Sequence, residues 1–327
     1  MLRLLVLFSC LACFAATSAK ASEEGLGLYD VDGPNAVTKV LLTVPSPNGS
    51  FTTTAYIPSD PGPHPVVIFS PGFVQMGIAY APYAKRLASW GIIAFLRDDP
   101  MVAYSLTKAN TASRRDDLSR TDNPMIAEMA VKTASDISYE ISTWLPAANA
   151  DVTSALHGMV DAARIGLAGH SRGGQIALLA GEASPGRVKG VFALDPVDLS
   201  FGSPQAGTLL ASIGIPIALI GETTDKLSCA PAWVNYQTLY DAAGSPAVAI
   251  SALNADHTMF EDPANCLFCG LCKRGTADAS GVLAYSVRYL TAFFARELLG
   301  DKSVGNAFEG AGAVADVKAG LIQISSK

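Results

Sequence analysis

Charged side chains are few in this chain of 327 residues: Asp, Glu, Lys and Arg make up 16%, with a net charge of −6. An acidic balance without a basic stripe offers nothing to neutralise phosphates, which argues against a nucleic-acid partner. Long apolar runs are missing as well. Beyond the first two dozen residues nothing approaches the ~20 uninterrupted apolar residues that a spanning helix needs, so no stable membrane span is expected, and lipid contact would be transient and at a surface. The 29 glycines and 19 prolines are spread as punctuation and form no low-complexity tract, and no internal repeat is found. Histidine is scarce, at four residues, which matters when a base is sought. What the chain does have is apolar bulk: half of its residues are hydrophobic, enough for a large core, so disorder is excluded for the whole.

Residues 1–21 read as a signal peptide, leaving 22–327 as the folded domain. Arg3 gives a positive start, residues 4–16 are an apolar core, and Ala19, Lys20 and Ala21 supply small residues at the cleavage positions. The secretory route and an extracellular destination follow, with a plastid reached through such a signal as the alternative. Cys10 and Cys13 leave with this segment. Cys229, Cys266, Cys269 and Cys272 remain, an even number in an oxidising compartment. Disulfides are expected rather than a metal site, with all three pairings open.

Strand and helix signals alternate along the rest. Residues 38–44 and 51–57 read as β-branched strands joined by a Pro- and Asn-Gly-containing turn, hence a hairpin. Residues 66–69 and 92–96 are continuously apolar, the pattern of strands buried on both faces of a parallel sheet. Helical periods follow at 81–90, 126–145, 233–243 and 285–299, and further strands at 188–194, 215–220 and 247–253. The segment 98–124 carries Asp98, Asp99, Arg114, Arg115, Asp116, Asp117 and Arg120 without apolar periodicity. It reads as a solvated excursion or as a cap over a site. Residues 300–327 are small and polar and read as a peripheral tail. The expected fold is α/β, a single domain with a mostly parallel central sheet flanked by helices.

The chemistry is concentrated at residues 165–180. An apolar strand ends in Gly169-His170-Ser171-Arg172-Gly173 and continues into an apolar helix. That is G-x-S-x-G in the strand–turn–helix setting of a nucleophile elbow, with glycines where side chains would collide. A serine hydroxyl needs a base within hydrogen-bond reach. His64 precedes the sheet, His157 precedes the elbow strand, and His170 adjoins Ser171 and so points to the other side of the turn. His257 alone follows the last core strand, in the loop where such an enzyme places its base. The acid that orients it is either Asp195 or Asp225, each at a strand end, with Asp198 three residues past the first. The developing oxyanion needs two backbone N–H groups, for which Arg172, next to the serine, and Phe73, in the loop after residue 69, are the candidates.

Gly169-His170-Ser171-Arg172-Gly173-Gly174 together with Leu194-Asp195-Pro196-Val197-Asp198 resembles chlorophyllase, with a shared layout over roughly residues 64–260. The resemblance implies an α/β-hydrolase fold and a cofactor-free carboxylesterase that removes phytol from chlorophyll. It also implies Asp195 as the acid. The loop Ser70-Pro71-Gly72-Phe73, where chlorophyllases generally carry His-Gly-Phe, looks more like bacterial cutinases and polyester hydrolases. So does the stretch Ile220-Gly221-Glu222-Thr223-Thr224-Asp225 followed by Ala230-Pro231, which would make Asp225 the acid. Both relatives imply a small-molecule ester substrate and no metal. The alternatives to chlorophyll hydrolysis are a secreted lipase- or cutinase-like esterase and, in a different class, a non-catalytic binding protein on a hydrolase fold.

Overall fold

The computed structural model describes residues 25–100, 124–198, 206–264, 269–305, 308 and 310–327. The expected leader, nearly all of the expected cap at 98–124, and Cys266 lie outside the described residues.

The hairpin forms where the sequence places it. Strands β1 (Val37–Val44) and β2 (Phe51–Pro58) pair antiparallel, with Val44 opposite Phe51 across the turn. Then β3 (His64–Ser70), helix α1 (Ala81–Ser89) and β4 (Ile93–Arg97) begin the parallel part. Helices α2 (Pro124–Tyr139) and α3 (Leu145–Ala150) lead into β5 (Val160–His170), the strand that ends at the elbow. Helix α4 (Arg172–Glu182), β6 (Val188–Leu194), the single turn α5 (Ala206–Leu209), β7 (Ile217–Glu222), α6 (Tyr236–Ala242) and β8 (Ala247–Ala252) follow in alternation. The chain closes with α7 (Ala279–Phe294), α8 (Ala311–Lys318) and β9 (Ile322–Ser326).

All nine strands form one sheet in the order β1-β2-β4-β3-β5-β6-β7-β8-β9. The run from β4 to β8 is parallel, and the two ends are antiparallel. This is the α/β-hydrolase architecture expected from the sequence. Every residue of β3 is buried, because side chains alternate between two cores. Val67 and Phe69 face one core with Leu290 and Phe293 of α7, and Val66 and Ile68 face the other with Ile137 of α2 and Ile176 of α4. A strand so enclosed cannot show polar–apolar alternation, which explains its uninterrupted apolar sequence.

Two stretches differ from the sequence reading. The helical period at 126–145 is realised as α2 and α3 joined by one wider turn at Glu140–Trp144, where buried Glu140 pairs with Arg97 of β4 at 3.2 Å. Residues 300–327, read as a peripheral tail, supply a helix and the edge strand β9, which pairs with β8 from Val248–Ser326 to Ala252–Ile322. Among the described residues no helix is long and apolar enough to cross a membrane.

Candidate active site

The parallel strands all end on one side of the sheet, where open α/β sheets bind their ligands. Ser171 stands there between β5 and α4 with φ 55° and ψ −123°, a conformation that L residues adopt only when the surroundings enforce it. The surroundings are tight. A Cβ on Gly173 would run into the carbonyl oxygens of Ser70 and Pro71, and one on Gly169 into the carbonyl of Gly173. Two backbone bonds also hold the turn to the end of β6 and the segment after it: Ser171 N–H donates to Leu194 O at 2.9 Å, and Val197 N–H donates to Ser171 O at 3.2 Å.

His257 enters from the loop after β8, as expected for the base. Its Nε2 lies 2.9 Å from Ser171 Oγ, and its Nδ1 lies 2.5 Å from Asp195 Oδ2. A carboxylate can only accept, so Nδ1 carries the proton and Nε2 faces the serine hydroxyl as an acceptor. Asp195 is fully buried at the end of β6, and its other oxygen accepts from Glu222 N–H at 3.0 Å. Burial alone would lower the His257 pKa. The hydrogen bond and charge of Asp195, with Glu261 and Glu222 behind it, outweigh burial and raise it above 6.5.

Asp225 is engaged elsewhere. Its Oδ1 accepts from Leu227 N–H (3.1 Å) and Ser228 N–H (2.8 Å), and its Oδ2 from Cys229 N–H (3.1 Å) and Lys273 N–H (2.9 Å). Burial alone would raise its pKa, but these four donors lower it. The carboxylate therefore joins the loop after β7 to the segment beyond His257, at the same place where Cys229 and Cys272 form a disulfide with Cα atoms 5.3 Å apart. A joined pair of sulfurs offers no thiolate to a metal, and the bond fits an oxidising compartment. Asp198 also faces away from the histidine: it accepts from Gln175 Nε2 and from the N–H groups of Ala206 and Gly207.

His157 and His170 lie where their sequence positions suggested, whereas His64, read as preceding the sheet, is the first residue of β3. His64 is buried at the head of β3 with ring nitrogens 3.1 Å from Gly91 O and 3.0 Å from Asp60 O, and His157 is exposed beside Asn149 O. His170 turns inward, its Nε2 3.0 Å from His257 O and its Nδ1 2.8 Å from Tyr80 Oη. Phe73 lies beyond β3, in the loop that Gly173 abuts, and its ring packs 5.2 Å from the Arg172 guanidinium. Arg172 opens α4, where first-turn N–H groups have no acceptor within the helix.

Glu222 was not singled out in the sequence. It ends β7 beside Asp195, and burial first, then the Asp195 charge, push its pKa up to about 8, against the pull of the Asp225 and Thr224 N–H groups. The only signal for it was a glutamate closing an apolar strand next to a conspicuous aspartate.

With this geometry in view, comparison with known proteins gives a family: the chlorophyllase family model matches residues 32–307. No curated protein matches the chain.

Proposed function

The chain belongs to the chlorophyllase family, which makes it an ester hydrolase of α/β-hydrolase type, and from that premise we propose a serine carboxylesterase acting on the phytyl ester of chlorophyll. The observation that carries the reading is the continuous chain Asp195–His257–Ser171, with bonds of 2.5 and 2.9 Å. Ser171 Oγ attacks the ester carbonyl carbon while His257 Nε2 takes the hydroxyl proton. The carbonyl π pair moves onto oxygen, and the backbone N–H groups of Phe73 and Arg172 receive that charge. When the intermediate collapses, the alcohol leaves with the proton from His257, and an acyl group remains on Ser171. Water, deprotonated by the same imidazole, attacks the acyl carbon and releases the free acid and the serine. Asp195 holds the imidazole in the productive tautomer and stabilises its charged form. No step needs a cofactor.

The loop Ser70-Pro71-Gly72-Phe73 favours a second reading, a secreted lipase- or cutinase-like esterase of other apolar esters. Incubating the protein with chlorophyll a beside a short-chain nitrophenyl ester separates the two. Chlorophyllide and phytol are the expected products; turnover of the nitrophenyl ester alone would favour the second reading. A fluorophosphonate probe tests both against a non-catalytic binding protein, which would not label.

The base sets a pH dependence. His257 works only when neutral, and a pKa held above 6.5 keeps it protonated to higher pH. Activity is therefore lost as pH falls through a value above 6.5, and the acid limb of kcat/KM on an uncharged ester should have its midpoint there. A midpoint below 6.5 would contradict the environment described for His257.

A further inference from the structure

Phe73 is bracketed by two residues whose backbone N–H groups are held by buried side chains. Gly72 N–H donates to Tyr80 Oη at 3.1 Å, and Val74 N–H donates to Asp99 Oδ2 at 3.0 Å. Each of these acceptors is in turn held by a neighbour of the nucleophile. Tyr80 Oη lies 2.8 Å from His170 Nδ1, and Asp99 Oδ2 pairs with Arg172 Nη2. The residue before Ser171 thus grips one side of the loop and the residue after it grips the other.

We infer that His170 and Arg172 are positioning residues that set the oxyanion loop, His170 through Tyr80 at Gly72 and Arg172 through Asp99 at Val74, so that the Phe73 N–H between them meets the developing charge. The inference deepens the serine-esterase reading and rests on it. Three further observations support it. Val74 is a β-branched residue at φ 56°, a conformation that costs free energy and persists only where something holds it; the Asp99 bond sits on that residue. Arg172 is 1% exposed, and among the described residues its Nε and Nη1 meet no hydrogen-bond partner. A buried cation so sparsely satisfied is a poor stability device, since an apolar side chain would fill the same space at less cost. Its guanidinium also lies over the Phe73 ring, so the same side chain steadies both the residue and the loop that carries it. Finally, His170 Nε2 meets the His257 carbonyl at 3.0 Å, and Glu261 Oε1 lies 3.2 Å from His170 Nδ1. One imidazole therefore touches the backbone of the base and the anchor of the loop.

Tyr80→Phe removes a single hydroxyl, and Asp99→Asn keeps an acceptor near Val74 but ends the ion pair. Displacing an oxyanion donor by a fraction of an ångström to an ångström costs on the order of 10- to 100-fold in rate. Both variants should lose that much in kcat on a short-chain nitrophenyl ester, with KM within about twofold, because the contact is made in the transition state and not before it. Affinity for an arylboronic acid, which forms a tetrahedral adduct on the serine, should fall in parallel. Arg172→Lys, which keeps the charge but not the forked reach, should fall between wild type and Asp99→Asn, and it keeps the test open if another variant fails to fold. Tyr289→Phe is the comparison, since it removes an equally buried hydroxyl that donates to Asp316, away from the site. Losses of equal size in Tyr289→Phe, losses confined to KM, or unchanged boronate affinity would overturn the inference. A wild-type protein that neither turns over esters nor labels with fluorophosphonate overturns the esterase reading and this inference with it. An active wild type with unimpaired Tyr80 and Asp99 variants overturns this inference alone.

Discussion

Replacing Ser171 by alanine should reduce kcat on any ester by on the order of 10⁶, while the protein remains folded. The size follows from what the side chain would do. Without Oγ there is no acyl-enzyme, His257 has no hydroxyl to deprotonate, and what remains is binding together with whatever stabilisation the loop N–H groups give to direct attack by water. Stability should change little, because the strained backbone at Ser171 is held by the Leu194 and Val197 bonds and by the close packing of Gly173, all of which use main-chain atoms. Single-turnover kinetics and a thermal melt on the same sample check both halves. Turnover surviving within about tenfold of wild type, in a folded variant, would show that another nucleophile does the work.

The second large effect discriminates between two aspartates that the sequence left in competition. Asp195→Asn should lower kcat by about 10⁴, because an amide cannot hold the imidazole in the same tautomer or balance its charge. Asp225→Asn should leave kcat nearly unchanged and lower stability instead. Its amide nitrogen would face two N–H donors, Cys229 and Lys273 or Leu227 and Ser228, at a cost of roughly 1–3 kcal/mol. Rates compared with denaturant midpoints for the two variants decide the matter. A rate loss of 10⁴ in Asp225→Asn would remove Asp195 from the proposed role.

Much of this arrangement could be read before any coordinates. The elbow was legible because its demands are local: two glycines, a buried strand before them and an apolar helix after. His257 was legible by elimination, there being only four histidines and one behind the last core strand. The acid was harder because strand ends carry aspartates for two reasons that composition does not separate, orienting a base and tying a loop. In the fold Asp195 reaches His257, while Asp225 ties a loop. The partners of Arg172 and His170 were out of reach for another reason. Asp99 is 73 residues from Arg172 and Tyr80 is 90 from His170, and nothing in a linear pattern joins them. The tail was misleading because Ile322 and Ile324 are too few to mark a strand, yet an edge strand needs only one buried face.

The three residues of the Asp195–His257–Ser171 chain stand on the ends of β5, β6 and beyond β8, separated along the chain by 62 and 86 residues. No hairpin or single helix–strand unit contains the constellation. It exists only once the non-local parallel pairings from β5 through β8 have closed, the slowest kind of contact for a chain to make. On the proposed reading, activity would therefore report cooperative closure of the middle of the sheet: a chain that has formed its helices and its N-terminal hairpin, but not the register between β6, β7 and β8, has every side chain of the proposed triad and no triad.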